Sequence, residues 1–478
     1  MLRKSLPLIL ALALPACHQS RPSPQPIHGG QSGKQIRESW EADRTRESAR
    51  FTDADLGRMV DRLFVEADPG RANFHGLLYA GSRPVPFLIK ALDEPRTWTT
   101  VFFRDGFHPD GSSPFERICD LLDETAPPQA AKPVARYLEH PDPRFRQLAA
   151  VVLGAIGAAD CLEPFKKALG SQDRELRQYA ILGLMNGLNR KRRDETFFQA
   201  IFPAVVPLLK TGVYDSEGPA GVLMAIDPAK GAPILESPQY FVAGNPQSHQ
   251  VLRALDRDGV KVRLAILLPL LAQLERLAAK ENVRELDYAA ALILYARNPD
   301  ELAENRFHVL INSPSSTIAA AGARGLELLA GIDPHAAVRA AYDEHGFAAM
   351  TQPQRYYHAI EDYRDEVDNG GHSQYFYNSS GDVYETAIEG LRSIGATGKA
   401  ANLSNAAGAF GLLRPAAANE DRRRRTEGFG PLQDGIFKAA DASFYESEKR
   451  PGERLDVLLA LYALQHRSDF AAVPGGPR

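Results

Sequence analysis

Cysteine is scarce in this sequence and neither sign of charge predominates. The 478 residues include three Cys, 56 basic and 60 acidic residues, which gives a net charge of −4. Such a surface has neither a basic excess that would bind a phosphate backbone nor an acidic excess that would imitate one. The 44% apolar and 24% charged fractions exclude wholesale disorder, collagen-like structure and a polytopic membrane protein. At roughly 100 to 200 residues per domain, we expect two units or one elongated array.

Motifs that would indicate catalysis are also missing. None of the 12 His lies three or four residues from another, which is the spacing of a helical zinc site. The Gly-Lys pairs at 33–34 and 398–399 lack the following Ser or Thr of a phosphate-binding loop, and no G-x-S-x-G motif occurs. The sequence therefore predicts no catalytic residue, no metal site and no cofactor.

The N-terminus has the layout of a signal peptide. Arg3 and Lys4 precede an apolar stretch that is well short of the roughly 20 residues of a membrane-spanning helix. Leu14, Ala16 and Cys17 follow and resemble the bacterial lipobox. This resemblance implies cleavage after residue 16, lipid on Cys17, and sorting to the outer membrane, facing the periplasm. The alternative is an ordinary secretory signal in which this Cys has no role.

A tether is predicted after the signal, over residues 17–50. The segment is rich in Pro and Gly and has few large apolar residues, so it cannot bury enough surface to offset the entropy of ordering. It would space a folded body from the bilayer.

Cys119 and Cys161 remain for a disulfide if Cys17 carries lipid. An oxidising compartment would allow them to pair. Both also lie among apolar residues at helical spacing, where a buried thiol is equally expected. The two alternatives stay open.

The strongest internal signal is a repeat with a period of 31 residues, in which residues 133–157 recur. Such a period marks stacked units that bury their apolar faces only against their neighbours. Apolar positions within each copy fall at the 3 and 4 spacings of one helix face, which predicts pairs of helices. The matched pairs are Pro133 and Pro164, Leu138 and Leu169, Asp142 and Asp173, Arg146 and Arg177, Ala149 and Ala180, and Leu153 and Leu184.

These residues resemble HEAT repeats of the phycobilisome-lyase type. The resemblance implies that the Pro opens one helix, that the Asp caps the next, and that the Arg bonds to the Asp of an adjacent unit. Looser copies occur at 86–92, at 203–209 and from Ser315 onward. Further helices are predicted over 260–279 and 286–296, and no stretch alternates with period 2. We therefore predict an all-α protein with a HEAT-like α-solenoid over residues 52–345.

A second unit is predicted over residues 351–472, where tyrosines become frequent. Its centre reads E-V-D-N-G-G-H-S-Q-Y-F-Y-N-S-S-G, at 366–381. Residues 356–470 resemble the family of small all-helical domains named for a bacterial DNA-mimic protein. The resemblance depends on this motif and on later positions that include Asp441 and Phe444; His372 departs from it, since the family implies Phe there.

The motif provides the candidate site. Asn369, Gly370 and Gly371 tolerate positive φ, which would end the helix and turn the chain. Gln374 and Asn378 would share one helix face. One interpretation is a packing motif with the aromatic side chains in the core and the amides bonded within the turn. The other is a partner-binding patch, for which the candidate residues are Asn369, Gly370, Gly371, His372, Gln374, Tyr375 and Asn378.

DNA mimicry is not expected to carry over. Residues 351–478 hold 18 acidic and 15 basic residues, and the difference of 18 − 15 gives a net charge of only −3. The arginines at 422–425 oppose mimicry directly; we expect them in a solvated loop balanced by Glu420 and Asp421, with contact to anionic lipid headgroups as the alternative. No nucleic-acid partner is predicted.

Together these features predict a lipid-anchored scaffold of the bacterial cell envelope that binds protein partners without catalysis. One alternative is an enzyme acting on envelope material, with a site around His372 and Gln374 where the solenoid meets the C-terminal unit. Another is an immunity or inhibitor protein that acts by surface mimicry.

Overall fold

The computed structural model describes residues 32–64, 72–94, 113–190, 193–211, 218–281, 284–416 and 418–471. Cys17, the predicted signal and the first half of the predicted tether lie outside these described residues. Every secondary-structure element assigned within these residues is a helix, which confirms the predicted all-α class. No described helix combines the length and the apolar character that crossing a bilayer requires.

Contacts divide the described chain into two compact units, one of residues 37–332 and one of residues 333–471 with residues 32–36, and the main junction lies between Ile332 and Asp333. The helices before this junction are α1 (Gly33–Ser48), α2 (Asp53–Arg62), α3 (Ala72–Tyr79), α4 (Val85–Leu92), α5 (Pro114–Thr125), α6 (Ala131–Ala135), α7 (Pro143–Ile156), α8 (Leu162–Leu169), α9 (Arg174–Leu188), α10 (Glu195–Val205), α11 (Gly218–Ile226), α12 (Pro228–Leu235), α13 (Ser248–Arg257), α14 (Leu264–Ala278), α15 (Glu285–Arg297), α16 (Ala303–Leu310) and α17 (Ser316–Leu329). The helices after it are α18 (Pro334–His345), α19 (Gln352–Tyr377), α20 (Tyr384–Ser393), α21 (Thr397–Ala407), α22 (Asn419–Thr426), α23 (Pro431–Glu448) and α24 (Leu455–Gln465). Because α18 packs on α19, it belongs to the C-terminal unit; the predicted limits of 52–345 and 351–472 stay predictions.

The repeat unit consists of helix pairs that stack in sequence order. From α6 and α7 to α16 and α17, each even-numbered helix packs on the odd-numbered helix that follows it. The odd-numbered helices α7 to α17 also pack on one another in order, and we call them the inner row. This stacking of pairs is the predicted α-solenoid.

Capping explains why the clearest repeats fold into pairs. The carboxylate of Asp142 accepts a hydrogen bond from the backbone N–H of Arg144 and caps α7, and Asp173 caps α9 in the same way. Arg146 donates to Asp173 across the two repeats, with 3.5 Å between Nη2 and Oδ2. The predicted bond between neighbouring units is therefore present at this pair of repeats. Arg177, the equivalent residue of the next copy, donates instead to the carbonyl oxygens of Ser171 and Thr211.

Glycine allows α7 and α9 to pack unusually closely. A Cβ atom added to Gly154 would lie 2.6 Å from the backbone of Gly183, and one added to Gly183 would lie 2.3 Å from the carbonyl oxygen of Val151. Real Cβ atoms do not approach backbone so closely, so these two positions need residues without a side chain.

The looser copies keep only part of the repeat pattern. Ser315 caps α17 by accepting from the N–H of Ile318, as its place in the register predicts. Pro86 lies in the first turn of α4, but Pro203 lies inside α10 and does not open a helix. The similarity at residues 203–209 is therefore one of sequence, and the helix begins after the cap at Asp194 instead.

Cys119 and Cys161 are free and buried. Burial raises the pKa of the Cys161 thiol to about 11 and that of Cys119 well above its ordinary value. Both therefore act as small apolar core residues, which was one of the two expected alternatives.

The C-terminal unit is built around α19. This helix packs on α18, α20, α22, α23 and α24. Its aromatic side chains form the core through edge-to-face contacts, with 5.2 Å between the rings of Tyr363 and Tyr375 and 5.3 Å between those of Phe376 and Phe410. Tyr363, Tyr375 and Phe376 are fully buried.

Candidate functional site

The Gly-Gly pair interrupts α19 and defines the candidate site. Gly370 and Gly371 have non-helical backbone angles, and helix geometry resumes at His372. Gly371 has a φ of +76°, the left-handed region that the sequence predicts for this turn. A Cβ atom there would lie 2.6 Å from Oδ2 of Asp441, so the close approach of α23 also requires Gly.

Glu366 organises the polar side chains that follow the turn. Its carboxylate accepts hydrogen bonds from Nε2 of Gln374 and Nδ2 of Asn378, both at 2.8 Å, and from Oγ of Ser380 at 3.1 Å. The two amides thus lie on one face, as predicted, but they bond a side chain on the first half of the same helix. Their donors hold the two halves of α19 together across the break.

His372 forms the second polar connection. Its side chain is fully buried, and both its backbone N–H and its ring Nδ1 bond Oδ1 of Asp441, at 2.8 and 2.7 Å. The ring Nε2 lies 3.0 Å from the hydroxyl of Tyr363. With the proton on Nδ1, Nε2 accepts from that hydroxyl, and the three side chains form a chain of hydrogen bonds from α19 to α23.

Burial and hydrogen bonding shift the pKa values of the two acidic groups, Asp441 and Tyr363, at the ends of these hydrogen bonds. Burial raises the pKa of Asp441, but the hydrogen bonds that its carboxylate accepts from the ring and the backbone N–H of His372 outweigh burial and hold this pKa below its usual value. Burial raises the pKa of Tyr363 far above its ordinary value. Asp441 is therefore an anion and Tyr363 a neutral donor at neutral pH.

Arg422 holds the C-terminal part of the motif at 366–381 in place through buried polar contacts. It is fully buried and pairs with Asp382, with 2.5 Å between Nη2 and Oδ1. It also donates to the backbone carbonyls of Phe376, Asn378 and Ala416, at 3.0, 2.8 and 2.8 Å. The expectation of a solvated loop at 422–425 is wrong for this residue: the segment is helix α22, and its first arginine is a core residue whose charge is paired.

The other arginines of the run differ from Arg422. Arg424 pairs with Asp421 on the surface, as the balance of charges predicts. Arg423 lies over the ring of Tyr377, 4.6 Å from its centre, and donates to the carbonyl of that residue at 3.1 Å.

Burial divides the predicted partner-binding residues into two groups. Asn369 and Gly370 are exposed, whereas Gln374 and Asn378 are partly buried with both amides bonded to Glu366. Gly371, His372 and Tyr375 are buried, so they support the turn from within and offer no surface to a partner. The packing interpretation describes these three; the partner-binding role of the exposed residues stays a prediction.

Sequence reasoning missed three residues that hold the site. The sequence alone does not single out Glu366, predicts a loop at Arg422, and points to Asp441 only through the family resemblance. One signal was available for Glu366: it stands one turn before a Gly-Gly pair and three side-chain donors follow that pair.

Several side chains around the turn are exposed and take no part in the packing just described. We call Asn369, Ser373 and Tyr377 the turn surface: the first two are exposed, and Tyr377 keeps 37% of its surface accessible. Beside it Tyr445 is also exposed, at 43%, and its hydroxyl donates to the carbonyl of Val367 at 2.8 Å. Among the described residues, no cluster of three or more His, Cys, Asp or Glu could hold a metal ion.

Two family models match parts of this chain. Residues 348–466 are similar to the family described as DMP19-like protein, and residues 116–185 are similar to HEAT repeats. These matches confirm the resemblances given by the period of 31 and by the motif around Gly370. No curated protein and no solved structure matches the chain.

Proposed function

We propose that this protein is a non-catalytic scaffold of the bacterial cell envelope, held to the membrane through lipid on Cys17, that binds protein partners. A helical repeat array with a HEAT match supports a role in protein interaction. The lipobox-like residues before Cys17 support the anchor.

The observation that carries the proposal is the contrast between the two sides of the turn in α19. On the side of the turn that faces the protein interior, the polar atoms are hydrogen-bonded: His372 bonds Asp441, and Glu366 accepts from two neighbouring side chains. On the solvent side of the turn, Ser373 and Tyr377 are exposed. They lie on the half of α19 whose position these hydrogen bonds fix. A rigid polar and aromatic surface loses little entropy when it binds a protein, which favours recognition as its role.

Site-specific crosslinking tests this role. A benzophenone amino acid at position 373 should crosslink to one discrete envelope protein in cells. The same amino acid at Lys438, an exposed residue on α23, is the matched control and should give no such product. Equal products at both positions, or none at position 373, would contradict the proposal.

The anchor has a separate test. The intact mass of the purified mature chain should correspond to an N-terminal Cys17 that carries acyl chains. Cys17→Ser should abolish this mass and release the protein from the membrane fraction. A mature protein that begins at another residue, or that lacks lipid, would exclude the anchor and leave the partner-binding role to be judged on its own.

A further inference from the structure

A groove in the repeat unit lies along the inner row. It is lined by residues of α13, α15 and α17 and has a volume of about 280 Å³. Small side chains form its floor: Ala289 and Ala290 on α15, and Ala320 and Ala321 on α17. Leu286 and Ile293 extend this floor along α15, and Leu286 keeps 50% of its surface exposed.

The charge of this groove is unbalanced. Arg253, on α13, lines the groove, is exposed, and forms no ion pair or hydrogen bond among the described residues. Asp256, the acidic residue of the lining, is paired with Arg297, and Arg324, the second arginine of the lining, is paired with Glu327. His249 bonds the carbonyl of Leu286 through Nδ1, and burial lowers its pKa, so it is neutral at pH 7. One unmatched positive charge therefore borders an apolar floor.

We propose that this groove binds an amphipathic helix of a protein partner, whose acidic side chain pairs with Arg253. The inference rests on the proposed protein-binding function and names the chemistry of the partner. It places a second contact surface in the repeat unit and requires nothing of the turn surface or of the lipid.

The shape of the groove favours a helical occupant. Its walls are helices whose backbone groups are bonded internally, so they offer no donors or acceptors to an extended peptide. A helix satisfies its own backbone, and a floor of Ala allows two helix axes to approach to about 8–10 Å. Leu286, Ala289 or Ala290, and Ile293 recur at spacings of three or four residues and form a stripe for apolar side chains. The volume lies below the roughly 300–1,000 Å³ of small-molecule sites.

The chain's own N-terminal segment is a poor occupant. Residues 18–34 contain Arg21 and Lys34 and no Asp or Glu, so they would place positive charge beside Arg253. The segment also has five prolines and glycines between residues 22 and 30, which disfavour a helix.

Three designed peptides of 14 residues test the proposal by fluorescence anisotropy. The first has Leu at helical spacing and Glu beside the Leu stripe; the second has Lys in place of Glu; the third is a scrambled form of the first. With the full chain carrying Cys17→Ser, the acidic peptide should bind at least tenfold more tightly than the other two. An acidic peptide that binds no better than its scrambled form would overturn the inference.

Variants of the groove locate the binding. Arg253→Glu should weaken the acidic peptide at least tenfold and strengthen the basic one, and Ala289→Trp should weaken both by filling the floor. Arg276→Glu is the matched control, because Arg276 is exposed on α14 and bonds a carbonyl of its own helix. It should change affinity less than twofold, and circular dichroism should show the same helix content for every variant.

Two further outcomes separate the explanations. Affinity unchanged by Arg253→Glu would overturn the groove as the binding site. Displacement of the acidic peptide by a synthetic peptide of residues 18–34 would assign the groove to the chain itself and would also overturn it. Crosslinking at Ser373 that persists in either case would leave the proposed function intact.

Discussion

Asp441 accepts both hydrogen bonds that His372 donates to α23, one from the backbone N–H and one from the ring, on the same oxygen atom. The first residue after the break in α19 is therefore fixed in position and in ring orientation by one carboxylate. Because the aligned donors and the carboxylate form charge-assisted bonds, Asp441 contributes more than a neutral acceptor would.

Replacing this carboxylate should destabilise the C-terminal unit. For Asp441→Asn we expect a loss of about 1–3 kcal/mol, since a neutral amide replaces the anion while His372 stays buried. The pKa of Asp441 is lowered by folding, so its contribution is complete above about pH 4 and is lost as the pH falls through the folded pKa. Hydrogen exchange of α19 amides should show the loss at pH 7 and a smaller loss at pH 3. Asp434→Asn, on the exposed face of the same helix, should cost less than about 0.5 kcal/mol.

Gly371 should be the least replaceable residue of the turn. Gly371→Ala imposes a left-handed φ on a residue with a Cβ, which costs about 1–2 kcal/mol, and drives that Cβ against Asp441. Gly395 is the matched control, because its φ is +84° and a Cβ there would meet nothing within 4 Å. We expect calorimetry to give a clearly larger fall in Tm for Gly371→Ala than for Gly395→Ala. Equal falls would mean that the contact with Asp441 adds nothing.

Arg422 should behave unlike its three neighbours in the arginine run. Arg422→Ala leaves Asp382 buried without its cation and removes donors from three carbonyls, so we expect a loss of about 3–5 kcal/mol. Arg424→Ala removes a surface pair and should cost less than about 1 kcal/mol. Resistance to limited proteolysis of the C-terminal unit would measure both. Similar resistance of the two variants would argue against the buried role.

Asp362 should make the C-terminal unit more stable in mild acid than at neutral pH. Burial raises its pKa to about 6, although His358 lies 3.5 Å away and opposes the shift. Because the folded pKa exceeds the unfolded value of about 3.9, the stabilising effect of protonation is complete below about pH 4 and is lost as the pH rises through 6. Asp362→Asn should therefore raise stability by about 1–3 kcal/mol at pH 7.5 and very little at pH 4.

The measurement for Asp362 is the calorimetric Tm of the C-terminal transition at both pH values. Glu361, Asp365 and Glu366 are the acidic neighbours that raise the same pKa further. Asp365→Asn, at an exposed position, should give no such stabilisation. A gain for Asp362→Asn that is the same at pH 4 and pH 7.5 would contradict the assignment.

The close packing of α7 and α9 should tolerate no side chain at its centre. Gly183→Ala would place a Cβ within 2.3 Å of the carbonyl oxygen of Val151, and separating the helices should cost about 1–3 kcal/mol. Gly170→Ala is the control, since its nearest neighbour would be 3.5 Å away. Urea unfolding followed by circular dichroism should distinguish the two. A cost for Gly183→Ala no greater than that of the control would show that the helices can move apart freely.

Local features account for what the sequence predicts correctly. The caps at Asp142 and Asp173, and the apolar spacing within each repeat, depend on residues close in the chain, so the helix pairs and their period could be derived directly. The left-handed backbone at Gly371 is local in the same sense.

Features that depend on distant residues could not be derived. The burial of Arg422 depends on the carbonyls of Phe376 and Asn378, more than 40 residues earlier, and a run of four arginines alone indicates a surface. The sequence predicts correctly that Gln374 and Asn378 share one helix face. It does not predict that both donate to Glu366, because the geometry of the break in α19 brings that carboxylate to them.

The non-helical pair at Gly370 and Gly371 also sets the phase of everything after it. In an unbroken helix of about 3.6 residues per turn, Glu366 would be in line with positions 373 and 377. The structure instead aligns it with Gln374 and Asn378, a slip of one residue, and turns Ser373 and Tyr377 outward. If the pair adopted helical angles with no residue removed, the two sets would exchange, so that the hydroxyl and the phenol would face the carboxylate and the amides would face the solvent.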